Sequence, residues 1–186
     1  MLRFGTAGTP HSSTGASSES GIIRSAELGL SCMELEWVHG ARMGEAVARK
    51  IKAAAESRDI ILSAHGPYYI NLNSLEEEKI LASRERILHA ARTAAWCGVR
   101  NLVFHAAFYQ KMDKNAVYEK VREELSSLVA QVREEGLEVT LRPETTGKPS
   151  QFGDLEELLA LSSEIDVVLH CVYFSHLHAR TGENNT

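Results

Sequence analysis

A chain of 186 residues, 44% hydrophobic and 24% charged, can bury one proper core, and residues 1–186 read as a single domain. No apolar run reaches the roughly 18 residues needed to span a bilayer, and the N-terminal stretch lacks the basic-then-apolar layout of a secretory signal. The net charge of −5 comes without any basic block, so composition gives no support to a nucleic-acid partner, although a metal cluster or a few loop arginines would hold a phosphate locally.

Short β-rich runs alternate with longer helical patterns along the chain. The first run, "LRFG" (2–5), precedes "TAGTPHSSTGASSESG", which has neither G-x-G-x-x-G nor P-loop spacing and reads as a flexible loop. A helix near 18–29 leads to a strand at 32–36, and a helix over 42–57 leads to a strand at 60–65. Ser74 with Glu77 three residues on reads as a capping box, and Ile80, Leu81, Ile87, Leu88 and Ala95 mark one face of the next helix. Gly98 then sits where a helix C-terminus favours a left-handed residue, ahead of a strand at 101–105. The stripe Val117, Val121, Leu125, Leu128, Val132 predicts a core-facing helix closed by Gly136, followed by a strand at 137–144. Asp154 with Glu157 repeats the capping pattern before Leu155, Leu158 and Leu159, and a last strand covers 166–174. Cys32, Cys97 and Cys171 form no CxxC motif and cannot all pair, which fits a reduced, cytoplasmic compartment.

Strict β-α alternation implies a parallel sheet with right-handed crossovers. Six strands fall short of the roughly 250 residues of a full (β/α)8 barrel, and the count alone favours an open doubly wound sheet. The strand ends reverse that preference. They carry Glu36, His65, His105, Glu144 and His176, the last four about one βα unit apart. Neighbouring strands lie about 4.8 Å apart, and only a curved sheet aims such side chains at one centre. The predicted fold is therefore α/β, an incomplete TIM-type barrel of about six βα units. Imidazole and carboxylate suit zinc, manganese or iron, and a set without cysteine argues against a purely structural zinc. His11 and His39 fall in loops and His89 on a helix, positions of solvated surface, while His170 lies inside the last strand.

Four motifs carry a resemblance to the endonuclease IV family of apurinic/apyrimidinic endonucleases, within the xylose-isomerase-like barrels. "SAHGPYYINL" (63–72) is similar to the family's metal histidine followed by a DNA-facing loop. "LVFHAA" (102–107) is similar to its second histidine motif, with Ala106-Ala107 in place of Pro-Gly. "LRPETTGKPSQFG" (141–153) resembles the motif around the strand-5 glutamate. "CVYFSHLHARTG" (171–182) resembles the strand-6 motif, with "SHLHAR" closer to archaeal members than to bacterial ones.

The resemblance implies that His65, His105 and Glu144 bind a first zinc, Glu144 also bridging to a second, and that His176, beside His178, serves a third. Tyr68 and Asn71 would lie in the loop that meets DNA. In the family three zinc ions supply a hydroxide and neutralise the phosphate during cleavage 5′ to an abasic site. Two departures stand out. Tyr173 replaces the family's aspartate ligand, and the ligands of strands 7 and 8 have no counterpart, so one well-formed metal site is expected. The unpaired outer strands would be open edges that a second copy could cover. A second activity on the same fold is a metal-dependent sugar or sugar-phosphate isomerase or epimerase with Glu36 or Glu144 as acid/base. A third reading is a non-catalytic metal- or DNA-binding remnant.

Overall fold

The computed structural model describes residues 2–182. In chain order the elements are β1 (Gly5–Ala7), α1 (Ser18–Glu27), β2 (Cys32–Glu36), α2 (Glu45–Glu56), β3 (Ile61–His65), α3 (Glu77–Trp96), β4 (Asn101–Phe104), α4 (Lys114–Glu134), β5 (Thr140–Pro143), α5 (Leu155–Glu164) and α6 (Phe174–Thr181). The five strands form one all-parallel sheet in sequence order, β1-β2-β3-β4-β5. Ala7 from the first strand and Val172 from beyond the fifth line the same cavity. A flat sheet would hold those edges apart, so the sheet is curled, as in a barrel left incomplete.

The expected sixth strand is present only as a broken trace. Leu169 N–H donates to the Leu141 carbonyl, Cys171 N–H to the Pro143 carbonyl, and Thr145 N–H to the Cys171 carbonyl. The ladder bond that belongs between them needs an N–H on residue 143, and proline has none. Two isolated bridges remain, Leu141 to Val168 and Glu144 to Cys171. Val167 adds a second interruption, with φ 70, a conformation costly for a β-branched residue. Phe174, read as the end of that strand, instead opens α6.

Outward-facing strand residues such as Met33, Leu62, Leu102 and Leu141 pack against the helices and are buried. The stripe on α4 behaves as its spacing predicts, with Val117, Val121, Leu125, Leu128 and Val132 all at 0% exposure. Leu125→Ala is expected to cost about 2–5 kcal/mol, read as a shift in the urea midpoint at unchanged slope. Asp154 and Glu157 form the predicted reciprocal capping box at α5. The first capping box does not form: Ser74 Oγ accepts from Glu76 N–H, two residues on, and α3 starts only after Glu76. Leu81 falls off its predicted face, at 54% exposure.

The inner face of the sheet carries a cluster of polar side chains. Ser63 donates to Glu34 (2.9 Å), and Arg142 donates to Asn101 Oδ1 (2.6 Å) and to the His170 carbonyl (2.9 Å). Alternation along β3, β4 and β5 places Ser63, Asn101 and Arg142 on the same face as His65, His105 and Glu144. Backbone pairing thus sets this polar layer, deeper along the strands than the cavity, together with the rim.

Candidate metal centre

Glu36, His65, Tyr68, His105, Glu144 and His176 line a single cavity of about 380 Å³ at the C-terminal ends of the strands. His65 closes β3, while His105 and Glu144 lie one residue past β4 and β5. One ligand atom from each of His65, His105 and Glu144 lies within 4.8 Å of the others. Glu144 Oε2 is the hub: 2.8 Å from His105 Nε2, 3.5 Å from His65 Nε2 and 3.8 Å from His176 Nδ1.

The tautomers follow from carbonyls, which only accept. His65 Nδ1 lies 2.8 Å from the Gly66 carbonyl and so carries a proton, leaving Nε2 as the nitrogen aimed at the centre. This is the supporting contact that metal-binding histidines use to fix their ring. His176 Nδ1 donates likewise to the Thr145 carbonyl at 2.8 Å. Two inward imidazole nitrogens and a carboxylate, with no lysine or arginine lining the cavity among the described residues, are a donor set that fits a divalent cation such as zinc.

Charge in the cavity is arranged around Glu144. Burial alone would raise its carboxyl, but the hydrogen bonds from His105 and His65 outweigh that and hold it at about 2. Burial works against the charged form of His65, yet its bonds to Glu144 and to the Gly66 carbonyl leave its value raised. Glu34, half-buried below the rim, is raised by burial in spite of the Ser63 hydrogen bond. Burial also pushes the Cys171 thiol, beside Glu144, up to about 12.

Not every predicted position joins the centre. His176 sits with its ring 5.3 Å from that of His105, outside the three-residue group. His178 lies on the exposed side of α6 and does not line the cavity. Tyr68, 55% exposed, stands over His65 and His105 at 5.7 and 6.3 Å between rings. The Asn71 side chain is engaged internally, its Oδ1 accepting from the Asn73 and Phe108 N–H groups. Glu36 faces the cavity from β2 but is exposed. Tyr173 lines the cavity with its ring 4.4 Å from that of His176, and Thr145 Oγ1 holds its backbone N–H at 2.8 Å. Sequence reading missed Glu34, whose signal was simple: it shares the inward parity of Glu36 on β2. Outside the cavity, His89 Nε2 contacts the Ala41 carbonyl (3.0 Å), and His170 Nδ1 lies 3.1 Å from Ser162 Oγ.

Known proteins share this arrangement of strands and helices. An uncharacterized protein of Methanocaldococcus jannaschii is 44% identical over 97% of this chain, which spans 64% of that relative, just under two thirds of its length. A D-psicose 3-epimerase with D-tagatose from Clostridium cellulolyticum H10 superposes with a TM-score of 0.79 at 15% identity, covering 98% of this chain and 67% of that one. Endonuclease IV from Thermus thermophilus superposes with a TM-score of 0.74 at 20% identity, covering 96% and 65%. At these identities the superpositions establish the fold alone. Among the described residues no helix is long and apolar enough to cross a membrane. Residues 22–186 match the family described as the xylose isomerase-like TIM barrel, and the chain belongs to that family.

Proposed function

We propose that His65, His105 and Glu144 hold one divalent cation, zinc by their donor set, and that the chain carries the metal centre of a phosphodiesterase of the endonuclease IV type, acting on DNA 5′ to abasic sites. The observation that carries this reading is the convergence of the two histidines on the Glu144 carboxylate, with the His65 ring fixed from behind by Gly66. The bound cation would supply an activated water and polarise a phosphoryl oxygen. In the metal-free site the Glu144 carboxylate holds both imidazoles through their Nε2 atoms, and Tyr68 offers an exposed ring beside them. Tyr173 stands where the resemblance expects an aspartate ligand, so one metal per chain is expected by plasma mass spectrometry. Tyr173→Asp is expected to raise the count towards two; an unchanged count would remove the family's second-metal geometry from this chain.

One observation favours a second reading, a metal-dependent sugar isomerase or epimerase. The cavity presents Glu34, Glu36 and Glu144 without a lysine or arginine to meet a phosphate, and its volume suits a small ligand. Zinc- and manganese-loaded protein should therefore be assayed on duplex DNA with one abasic site and on a panel of ketohexoses. EDTA-sensitive nicking 5′ to the site supports the phosphodiesterase. Epimerisation without nicking transfers the function to sugars. Metal binding with neither activity leaves a metal-binding remnant.

A further inference from the structure

The loop after β5 closes on itself. Thr146 N–H donates to the Gly153 carbonyl at 3.0 Å, and Gly153 has φ 118. A Cβ on Gly153 would lie 2.8 Å from the Glu144 carbonyl oxygen, so only glycine permits this approach to the metal-site strand end. Inside the closed loop sits the guanidinium of Arg180, which reaches in from α6. Its Nη1 donates to the carbonyls of Lys148 and Gln151, both at 3.0 Å, and to Thr146 Oγ1 at 3.1 Å. Its Nη2 lies 3.3 Å from the Tyr109 hydroxyl, which itself donates to Glu157 of the α5 capping box at 2.7 Å. Each of the Arg180 bonds ends on a carbonyl or hydroxyl oxygen, and none on a carboxylate. A guanidinium spent on neutral acceptors is held by geometry, through the planar fork that lysine lacks.

We propose that Arg180 is a positioning residue: by filling the ring of oxygens in the 146–151 loop it docks α6, and so holds His176 against Thr145 and, through Thr145, Glu144 in place at the metal centre. The chain of contacts is short. α6 carries both Arg180 and His176, His176 bonds the Thr145 carbonyl, and Thr145 adjoins Glu144. Gly147 shows how closely α6 sits, since a Cβ there would lie 3.3 Å from His176 Cδ2 and 3.4 Å from Ala179 Cβ.

The inference rests on the metal reading above, and its test separates the two. Zinc affinity is measured by competition with a chromophoric chelator for the wild-type chain and for Arg180→Ala, with far-UV circular dichroism as the folding control. Loss of a supporting contact of this kind costs metal affinity roughly 10–100-fold, and that is the weakening expected in a folded Arg180→Ala. In metal-free protein, proton NMR reads the His176 Nδ1–H bonded to Thr145 as a protected downfield resonance. That resonance is expected to disappear in Arg180→Ala. A folded variant that keeps both the affinity and the resonance overturns the clamp and leaves the metal reading standing. A wild-type chain without zinc affinity overturns the metal reading, and the resonance alone then decides the clamp. Should Arg180→Ala fail to fold, Arg180→Lys decides: weakened affinity supports the fork, and wild-type affinity overturns it.

Discussion

His105→Ala is expected to abolish zinc binding at the candidate metal centre while leaving the barrel folded. His105 lies just beyond β4, with a half-buried ring that reaches Glu144 at 2.8 Å and packs against the rings of His65 and His176. Removing it takes one of three converging donors and the shortest of the histidine contacts to Glu144 Oε2. A supporting partner costs metal affinity roughly 10–100-fold, so loss of a direct ligand should exceed the upper end of that range. His65→Ala should match it, whereas His178→Ala, on the outer side of α6, should leave affinity unchanged. The readout is zinc retained after dialysis, measured beside the circular dichroism spectrum. Full metal content in His105→Ala would sink the assignment of the site.

The fold was legible where one local cause sufficed. The α4 stripe, the Asp154 capping box and the glycines at 98 and 136, with φ 72 and 65, each needed only periodicity or a backbone rule. The sixth strand was misread because its composition is strand-like and its partner is not: the defect lies in Pro143 on the neighbouring strand, a contact no local pattern reveals. Ser74 likewise had the right residue three positions on but spent its oxygen two positions on. At the site, the clustering of His65, His105 and Glu144 was legible because the βα repeat places them at strand ends. Glu34 and Arg180 were not. Glu34 lies inside a strand, where only inward parity marks it, and the oxygens that Arg180 meets are brought together only by the closed loop after β5.

The acid side of the stability curve offers the second large effect, in metal-free protein. Glu144 has a folded value of about 2 against an ordinary value of 4.5. A lowered carboxylate contributes stability that is complete above its unfolded value and is lost as pH falls towards the folded one, here from about 4.5 down to 2. At 1.36 kcal/mol per unit, the shift corresponds to roughly 3 kcal/mol. His65 works from the other side. Its raised value gives stability present below its ordinary value of 6.5 and lost as pH climbs through the folded one. Chelator-treated protein should therefore be most stable between these limits, at mildly acidic pH, with the urea midpoint falling on either side. Glu144→Gln should flatten the acid limb by removing the carboxylate and the alkaline limb by removing the partner that raises His65. Zinc should reverse the alkaline limb in the wild-type chain alone, because a cation competes with the proton for His65 Nε2 and gains as pH rises. Superimposable curves for the wild-type chain and Glu144→Gln would mean that the three side chains do not act as one unit.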